Sequence, residues 1–259
     1  KVWCSGSKMV AEVNTWNNTT IYCTDDHRFK TVDNEDIVAK ELVDKRIKLF
    51  YQLNKEVSDY VKLGFIQGDG QLTDLLKGCR GVTVNIGKKD QDIAELFEIE
   101  NHTERKYYIK GFDTLIRVLD FDLTVLPDRT LPGTFDTWKR KDQLMFFKGL
   151  YSANGCIIKN TRIAFKSTCK MLIDQMKDQL NTWGISSHIT INKSKDVKFS
   201  NGTYTCKESY DLNISRIDSI VKFAKGIAFV HQYKNDALEE LINLKSPKVR
   251  SVTYAQTAK

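Results

Sequence analysis

Paired cysteines, long apolar runs and proline are all scarce in this chain, and each shortage excludes something. The six cysteines (Cys4, Cys23, Cys79, Cys156, Cys169 and Cys206) are widely spaced and form no Cys-x-x-Cys pair. That spacing argues against a zinc site and suits reduced, buried thiols in a cytosolic protein. No apolar run approaches the roughly 20 residues that cross a bilayer, so no membrane partner is expected. No secretory signal pattern opens the sequence, and sequons, for example Asn101-His102-Thr103 and Asn201-Gly202-Thr203, read as accidental. The expectation is a soluble protein of the cytoplasm. Of only three prolines, two fall in LPDRTLPGTF (Leu126–Phe135), which breaks the chain near its middle.

What remains is ample for a core. Hydrophobic residues make up 41% and aromatic residues 10% of 259 positions, enough for one large domain or two modest ones. The formal charge is +7, although 33 residues are acidic. Such a balance fits either a solvated mixed-charge surface or a polyanionic partner such as nucleic acid.

Residues 1–50 read as β-rich. KMVAEVNTWNNTTIYCT carries β-branched stretches around an Asn-Asn turn, which suits a hairpin. NEDIVAKELVDKRIKLF then gives a helical turn and an apolar run. From Asn54 the pattern becomes helical, with Val57, Tyr60, Val61, Gly64, Phe65 and Gly68 three or four apart. Arg80–Gly87 reads as a strand, Lys89–Asn101 as a helix with Ile93, Leu96 and Phe97 on one face, Glu104–Phe112 as a strand and Asp113–Phe121 as a short helix. The second half follows the same order: a helix over Asp142–Gly155, a tight strand pair over Cys156–Thr168, a helix over Cys169–Gly184 with Gly184 as its C-cap, strands around Ser200–Gly202, and two closing helices. Asn154 lies 85 residues after Asp69, and an internal repeat with pseudo-twofold character is expected.

Two short stretches carry the chemistry. LGFIQGDG (Leu63–Gly70) and KGLYSANG (Lys148–Gly155) each hold small residues one helical turn apart, Gly64 with Gly68 and Gly149 with Ala153. Small residues on one face let two helices approach closely. Side by side, their C-terminal ends bring Asp69 next to Asn154, and the carbonyls of Gly68 and Ala153 lie among the unsatisfied groups of a helix end. Such an oxygen cluster suits Mg²⁺, and divalent metals facing a basic surface can hydrolyse a phosphodiester.

Gly64-Phe65-Ile66-Gln67-Gly68-Asp69-Gly70 and Gly149-Leu150-Tyr151-Ser152-Ala153-Asn154-Gly155 resemble the paired motifs of the LAGLIDADG homing endonucleases. The resemblance covers about residues 51–245. It implies an α+β fold of two pseudo-symmetric αββαββα repeats forming a DNA-binding saddle, with repeats at 51–135 and 136–245. It implies two or more Mg²⁺ ions at Asp69 and Asn154, with the Gly68 and Ala153 carbonyls, and hydrolysis of double-stranded DNA at a long site. It also implies a basic residue near the scissile phosphate. Arg129, before Thr130-Leu131-Pro132, matches that position in the first half, and Lys234 in the second. Arginine stays protonated, so its expected role is electrostatic. Asn154 departs from the acidic residue usual in the family; its neutral oxygen should bind metal more weakly. Three readings stay open: a working endonuclease, a nicking or cleavage-impaired DNA-binding remnant, and a fragment of a split self-splicing intein. An RNA maturase would use the same fold.

The predicted strands carry Asn85, Lys88, Arg105, Lys106, Lys110, Lys159, Arg162, Lys166, Lys193, Lys195, Lys198 and Lys207. On such ribbons basic side chains meet phosphates and polar ones meet base edges, although alternating polar residues also describe an ordinary solvent face. The span from motif to basic residue is longer in the second half, so an asymmetric target site and a monomeric pseudodimer are expected. Finally, YCTDDHRF (Tyr22–Phe29) resembles the Thr-x-x-His block of the Hint domains of inteins, with Thr24 and His27 in the matching positions. Residues 246–259 resemble a Hint strand resuming after an inserted endonuclease. An intein of a prokaryotic or phage-type host is implied. Neither an N-terminal splicing nucleophile nor a closing His-Asn pair is present here, so splicing would need missing Hint fragments.

Overall fold

The computed structural model describes residues 9–74, 80–87, 90–102, 106–109, 128–199 and 202–255. The chain divides into two compact units, Lys1–Phe50 with Glu240–Lys259, and Tyr51–Glu239.

The first unit is β-rich. Strands β1 (Val10–Thr15) and β2 (Thr20–Thr24) form a hairpin. Asn18 takes the left-handed conformation in its turn (φ 60°), a backbone that asparagine tolerates better than most residues. The other edge of β1 pairs antiparallel with the last strand, β15 (Val249–Ala255), with Val13 opposite Val252. A second small hairpin joins β3 (Arg28–Lys30) and β4 (Asp36–Val38). Alternation along β1 buries Ala11, Val13 and Thr15, and the first two meet Phe29, Ala39, Leu42 and Val249 in a small core.

The second unit holds both glycine-rich stretches. Helix α1 (Asp59–Asp69) leads directly into β5 (Gly70–Asp74), which pairs with β6 (Arg80–Asn85). A single helical turn, α2 (Gln91–Ala94), precedes β7 (Ile99–His102) and β8 (Lys106–Ile109). These strands form one sheet in the order β5-β6-β8-β7. Helix α3 (Arg140–Asn154) likewise leads directly into β9 (Gly155–Ile158), followed by β10 (Arg162–Ser167), α4 (Lys170–Thr182) and β11 (His188–Asn192). A hairpin of β12 (Lys195–Phe199) and β13 (Gly202–Cys206) intervenes before β14 (Ser209–Ile214). The second sheet runs β11-β14-β10-β9. Apart from that hairpin, each sheet pairs the second strand of its half with the first and fourth. Helices α5 (Ile217–Gly226) and α6 (Gln232–Lys245) close the second half.

Local signals explain most of these elements. Leu172, Ile173, Met176 and Leu180 are the buried stripe of α4. Its end is fixed by two bonds, Gly184 N–H to Asn181 O (2.9 Å) and Ile185 N–H to Leu180 O (2.9 Å). Gly184 sits at φ 70°, the left-handed position that such a cap assigns to glycine.

Two expectations need correction, and one strand had no expectation. The helix expected over Lys89–Asn101 is confined to Gln91–Ala94. Ile93 and Phe97 are buried as its apolar spacing requires, but Ile99–His102 pairs with β8 instead, and cross-strand bonds outweigh a weak helical period. Helix α1 starts at Asp59, because residues before it are held by other bonds: Asn54 N–H donates to Ala224 O (3.0 Å) and its side-chain amide to Gly226 O (2.7 Å). Strand β5 had no separate sequence signal, since its start belongs to the motif itself. The helix expected over Asp113–Phe121 lies outside the described residues.

Candidate active site and nucleic-acid interface

Helices α1 and α3 run parallel along a seam set by glycine. A Cβ added to Gly64 would stand 1.9 Å from Phe146 O, and one added to Gly149 would stand 2.1 Å from Val61 O. Any side chain there would force the helices apart. Near the seam's end, a Cβ on Gly68 would lie 2.7 Å from that of Ala153. The glycines that follow each helix have a different reason. Gly70 and Gly155 begin strands at once, and a Cβ on either would meet the helix's own carbonyl, Ile66 O at 2.4 Å and Tyr151 O at 2.5 Å. A helix that ends abruptly and turns into an extended strand therefore needs glycine at that point.

This geometry sets Asp69 and Asn154 beside each other. Asn154 Nδ2 donates to Gly68 O (2.8 Å), which fixes the orientation of the amide and turns Oδ1 away from that carbonyl. The expectation that Gly68 O is unsatisfied is thus corrected: the carboxamide nitrogen occupies it. Asp69 is half-buried. Burial pushes its carboxyl up to about 6, with the Arg129 cation opposing, Asp90 adding to the rise and Lys234 opposing.

Two buried cations flank the pair. Arg129 is buried, and its Nε has no hydrogen-bond partner among the described residues. Burial pulls the guanidinium below its usual value, while the Asp69 carboxylate works against that. Its loop is fastened to two helices. Gln67 Nε2 donates to Thr130 O (2.5 Å) and Leu131 N–H donates to Gln175 Oε1 (2.8 Å). Lys234 is also buried, and its Nζ donates to Ser152 O (2.7 Å). Ser152 Oγ accepts from Val230 N–H (2.9 Å). So Gln67, two residues before Asp69, holds the Arg129 segment, and Ser152, two residues before Asn154, holds the Lys234 segment. Neither fastening residue was singled out from sequence; each sits inside a motif at an apolar-looking position, where its polarity was the available signal.

Among the described residues, no group of three or more His, Cys, Asp or Glu side chains is placed to hold a metal ion. The donors expected at this end of the seam are the Asp69 carboxylate, Asn154 Oδ1 and the Ala153 carbonyl. They are all hard oxygens of the kind Mg²⁺ takes. They bring a single negative charge, and the desolvated Asp69 carboxylate has most to gain from a cation. By donor type the set suits a divalent ion.

Further polar groups escaped the sequence reading. Lys148 is 1% exposed and donates to Asn54 O (2.7 Å) and Glu56 O (2.9 Å). Burial lowers it to about 8, with Glu56 opposing. His231 is also buried, 3.0 Å through Nε2 from Asp90 Oδ1. Burial and then Lys234 push it down to about 4, against Asp90 and Asp92, so it faces the carboxylate as a neutral ring.

The strand register sorts the expected nucleic-acid contacts by face. In the second sheet Arg162 and Lys166 share the face away from the core with Asp211 and Asn213, because Ala164 stands opposite Asn213 and Lys166 opposite Asp211. His188 and Thr190 join them from β11. Arg162 Nε donates to Asn213 Oδ1 (2.8 Å), whose amide donates to Thr190 Oγ1 (3.1 Å), so the face is internally ordered. These partners went unnoticed because only pairing places alternate residues of three strands together. In the first sheet Asn85 stands opposite Lys106, and the Lys106 ammonium lies 5.9 Å from the centre of the Tyr108 ring. Lys159, Lys193, Lys195, Lys198 and Lys207 are exposed, three of them in or beside the β12–β13 hairpin. Lys88, Arg105 and Lys110 lie outside the described residues.

In the β-rich unit, His27 N–H donates to Thr24 O (3.1 Å) and the His27 ring meets Phe29 edge-on at 4.8 Å. These contacts make a tight turn.

A family model described as a LAGLIDADG-like domain matches residues 141–228. An ATP-dependent DNA helicase Hel308 from Methanocaldococcus jannaschii is 25% identical over 258 residues, covering 90% of this chain and 21% of the helicase. This chain therefore spans about a fifth of the length of that curated relative. Among solved structures, I-DmoI in complex with DNA and calcium superimposes with a TM-score of 0.46 at 20% identity, covering 70% of this chain and 96% of the other. The LAGLIDADG meganuclease I-AabMI bound to uncleaved DNA gives 0.42 at 13% identity, covering 73% and 90%.

Proposed function

We propose that this chain is a site-specific endonuclease of duplex DNA, built as two LAGLIDADG-type repeats that use a divalent cation, Mg²⁺ in the first instance. The observation that carries this reading is the glycine seam, which brings Asp69 and Asn154 together at two parallel helix ends with the buried cations Arg129 and Lys234 close by. A cation held by Asp69, Asn154 Oδ1 and the Ala153 carbonyl would supply positive charge at the scissile phosphate and acidify a bound water. Arg129, charged at any accessible pH, would counter the charge that builds on the phosphate. Lys234, desolvated and fixed on Ser152, would act the same way on the other strand. The polar faces of the two sheets, with Asn85, Lys106, Arg162 and Lys166, would lie against the grooves, and the β12–β13 hairpin would lengthen one half of the footprint. The target would then be asymmetric and the enzyme monomeric.

The discontinuous β-rich unit supports an intein origin. Its strands come from both ends of the sequence, as expected when an endonuclease interrupts a Hint domain. Similarity of nearly the whole chain to a fifth of a DNA helicase fits an element carried inside a larger host protein. Such a protein would act in the cytoplasm, and splicing would require Hint segments beyond this sequence.

The test is selection of cleaved molecules from supercoiled plasmids bearing randomised inserts, with Mg²⁺, followed by cleavage of the recovered site. Linear product that disappears with Asp69→Asn supports the proposal; intact plasmid at saturating protein overturns it. One observation favours a nicking enzyme as the second reading: the Asn154 amide is committed to Gly68 O. Asn154→Asp would set a carboxylate oxygen against that carbonyl. It should destabilise the metal-free protein by about 1–2 kcal/mol, with stability recovered on adding Mg²⁺. A thermal melt with and without the ion checks this, and conversion of a nicked product to a linear one would identify Asn154 as the reason for nicking.

A further inference from the structure

The first turn of α6 carries Lys234, yet it is not held by its own half alone. Asp92 Oδ2 accepts from Gln232 N–H (3.1 Å), so a carboxylate 140 residues away caps the start of this helix. Asp90 Oδ1 accepts from Tyr233 O–H (2.9 Å) and stands 3.0 Å from His231 Nε2. Both aspartates belong to the turn around α2, in the first half. Two consecutive residues, Gln232 and Tyr233, are therefore hydrogen-bonded to two carboxylates of the other half, with the His231 ring packed beside Asp90, and the next residue is Lys234. Its ammonium then reaches Ser152 O at 2.7 Å. A helix start leaves backbone N–H groups without partners and carries partial positive charge, so an aspartate there satisfies a donor and opposes the dipole at once.

We propose that Asp90 and Asp92 are positioning residues: they clamp the first turn of α6 from the opposite half and so place Lys234 against the end of α3. The role of Lys234 rests on the function proposed above, whereas the clamp rests on these bonds. One chain segment thus serves both halves. The buried cation attending one DNA strand is set by acidic residues from the half that attends the other, and cutting of the two strands is mechanically linked. Neutral His231 packs between the clamp and the Tyr233 ring, 5.4 Å away, and contributes no competing charge.

Two readouts test this. The first does not require cleavage. In the full chain, trace acetylation followed by mass spectrometry reports how often the Lys234 amine is exposed, with buried Lys148 as internal control. Losing one cap bond should raise Lys234 labelling about fivefold in Asp92→Ala and in Tyr233→Phe while Lys148 stays protected. Asp92→Asn keeps an acceptor oxygen for Gln232 N–H and should label as the native protein does. Unchanged Lys234 labelling in both disrupting variants overturns the clamp, and so does a rise at Lys148 to match, which would mean general loosening. The second readout is single-turnover nicking of each strand of the plasmid recovered above. Asp92→Ala should slow one strand about fivefold more than the other at unchanged DNA affinity, with Asp92→Asn restoring it. Equal slowing of both strands would make the clamp merely structural and overturn the positioning role. If the native protein cleaves nothing, the endonuclease reading fails while labelling still decides the clamp.

Discussion

At the residue scale, Asp69 sets a half-buried carboxylate against stability. Its carboxyl titrates near 6 in the folded protein because burial outweighs the help of Arg129, whereas an unfolded aspartate titrates near about 3.9. Between these values the folded state holds a proton that the unfolded state has released. The contribution of Asp69 to the stability of the metal-free protein should therefore fall as pH rises from about 4 to about 6, while buried His231, pushed down to about 4, contributes in the opposite sense over the same range, so the Asp69 effect is read as the difference between the native and Asp69→Asn proteins. Two pH units set a ceiling near about 3 kcal/mol; solvent screening of a half-buried group reduces this to about 1–2 kcal/mol. Asp69→Asn should remove that dependence and be the more stable protein at pH 7 with chelator present. Mg²⁺ should stabilise the native chain and leave the variant unmoved. Urea denaturation at pH 5 and pH 7, each with and without the ion, checks all of this; a native chain more stable than the variant at pH 7 without metal contradicts it. The two motifs made Asp69 and Asn154 legible in the sequence. The use of the Asn154 amide as a donor was not, since composition does not say which end of a carboxamide faces a neighbour.

At the scale of the element, the seam is decided by backbone contact, and spacing alone revealed it. Gly64 and Gly149 each face a carbonyl of the opposite helix at a distance no Cβ can occupy. Gly64→Ala or Gly149→Ala should each cost about 3 kcal/mol, the upper part of the range for overpacked cores. The damage should extend to the site, because the helices would separate at the end where Asp69 and Asn154 meet. Gly133, with nothing within 4 Å of its added Cβ, is the control, and Gly133→Ala should leave the melting curve within about 0.5 kcal/mol of the native one. Comparable losses at all three positions would mean the cost is helix propensity or loop entropy rather than contact. Helix positions with buried partners were readable here, as in α4. The strand β7 was not, because four residues carry too little periodicity to compete with the helical spacing of Ile93 and Phe97 just before it. The anchoring of Asn54 and Glu56 by Lys148 was equally hidden: a lysine in a motif reads as solvated until its two backbone acceptors are seen.

At the scale of the molecule, the chain order and the spatial order disagree, and the consequence can be measured. The β-rich unit takes β1 from the start of the sequence and β15 from its end, with Tyr51–Glu239 between them in sequence and forming a unit of its own. Strand β1 lies in the middle of its sheet, so removing β15 leaves a two-stranded hairpin, which is marginal in water. The same cut removes Val249, a member of that small core, and the paired bonds Asp44 N–H to Val249 O and Val249 N–H to Lys45 O. A chain ending at Lys248 should therefore lose amide protection along Val10–Thr15 by hydrogen exchange, while amides in the middle of α3 keep theirs. The glycine seam, Arg129 and Lys234 all belong to the other unit, so DNA binding by the shortened chain should persist. If α3 loses protection together with β1, the two units fold as one cooperative body and the flanks are structural parts of the candidate nuclease. If β1 alone opens, the candidate nuclease folds as a self-sufficient unit, as the proposed insertion into a Hint domain requires.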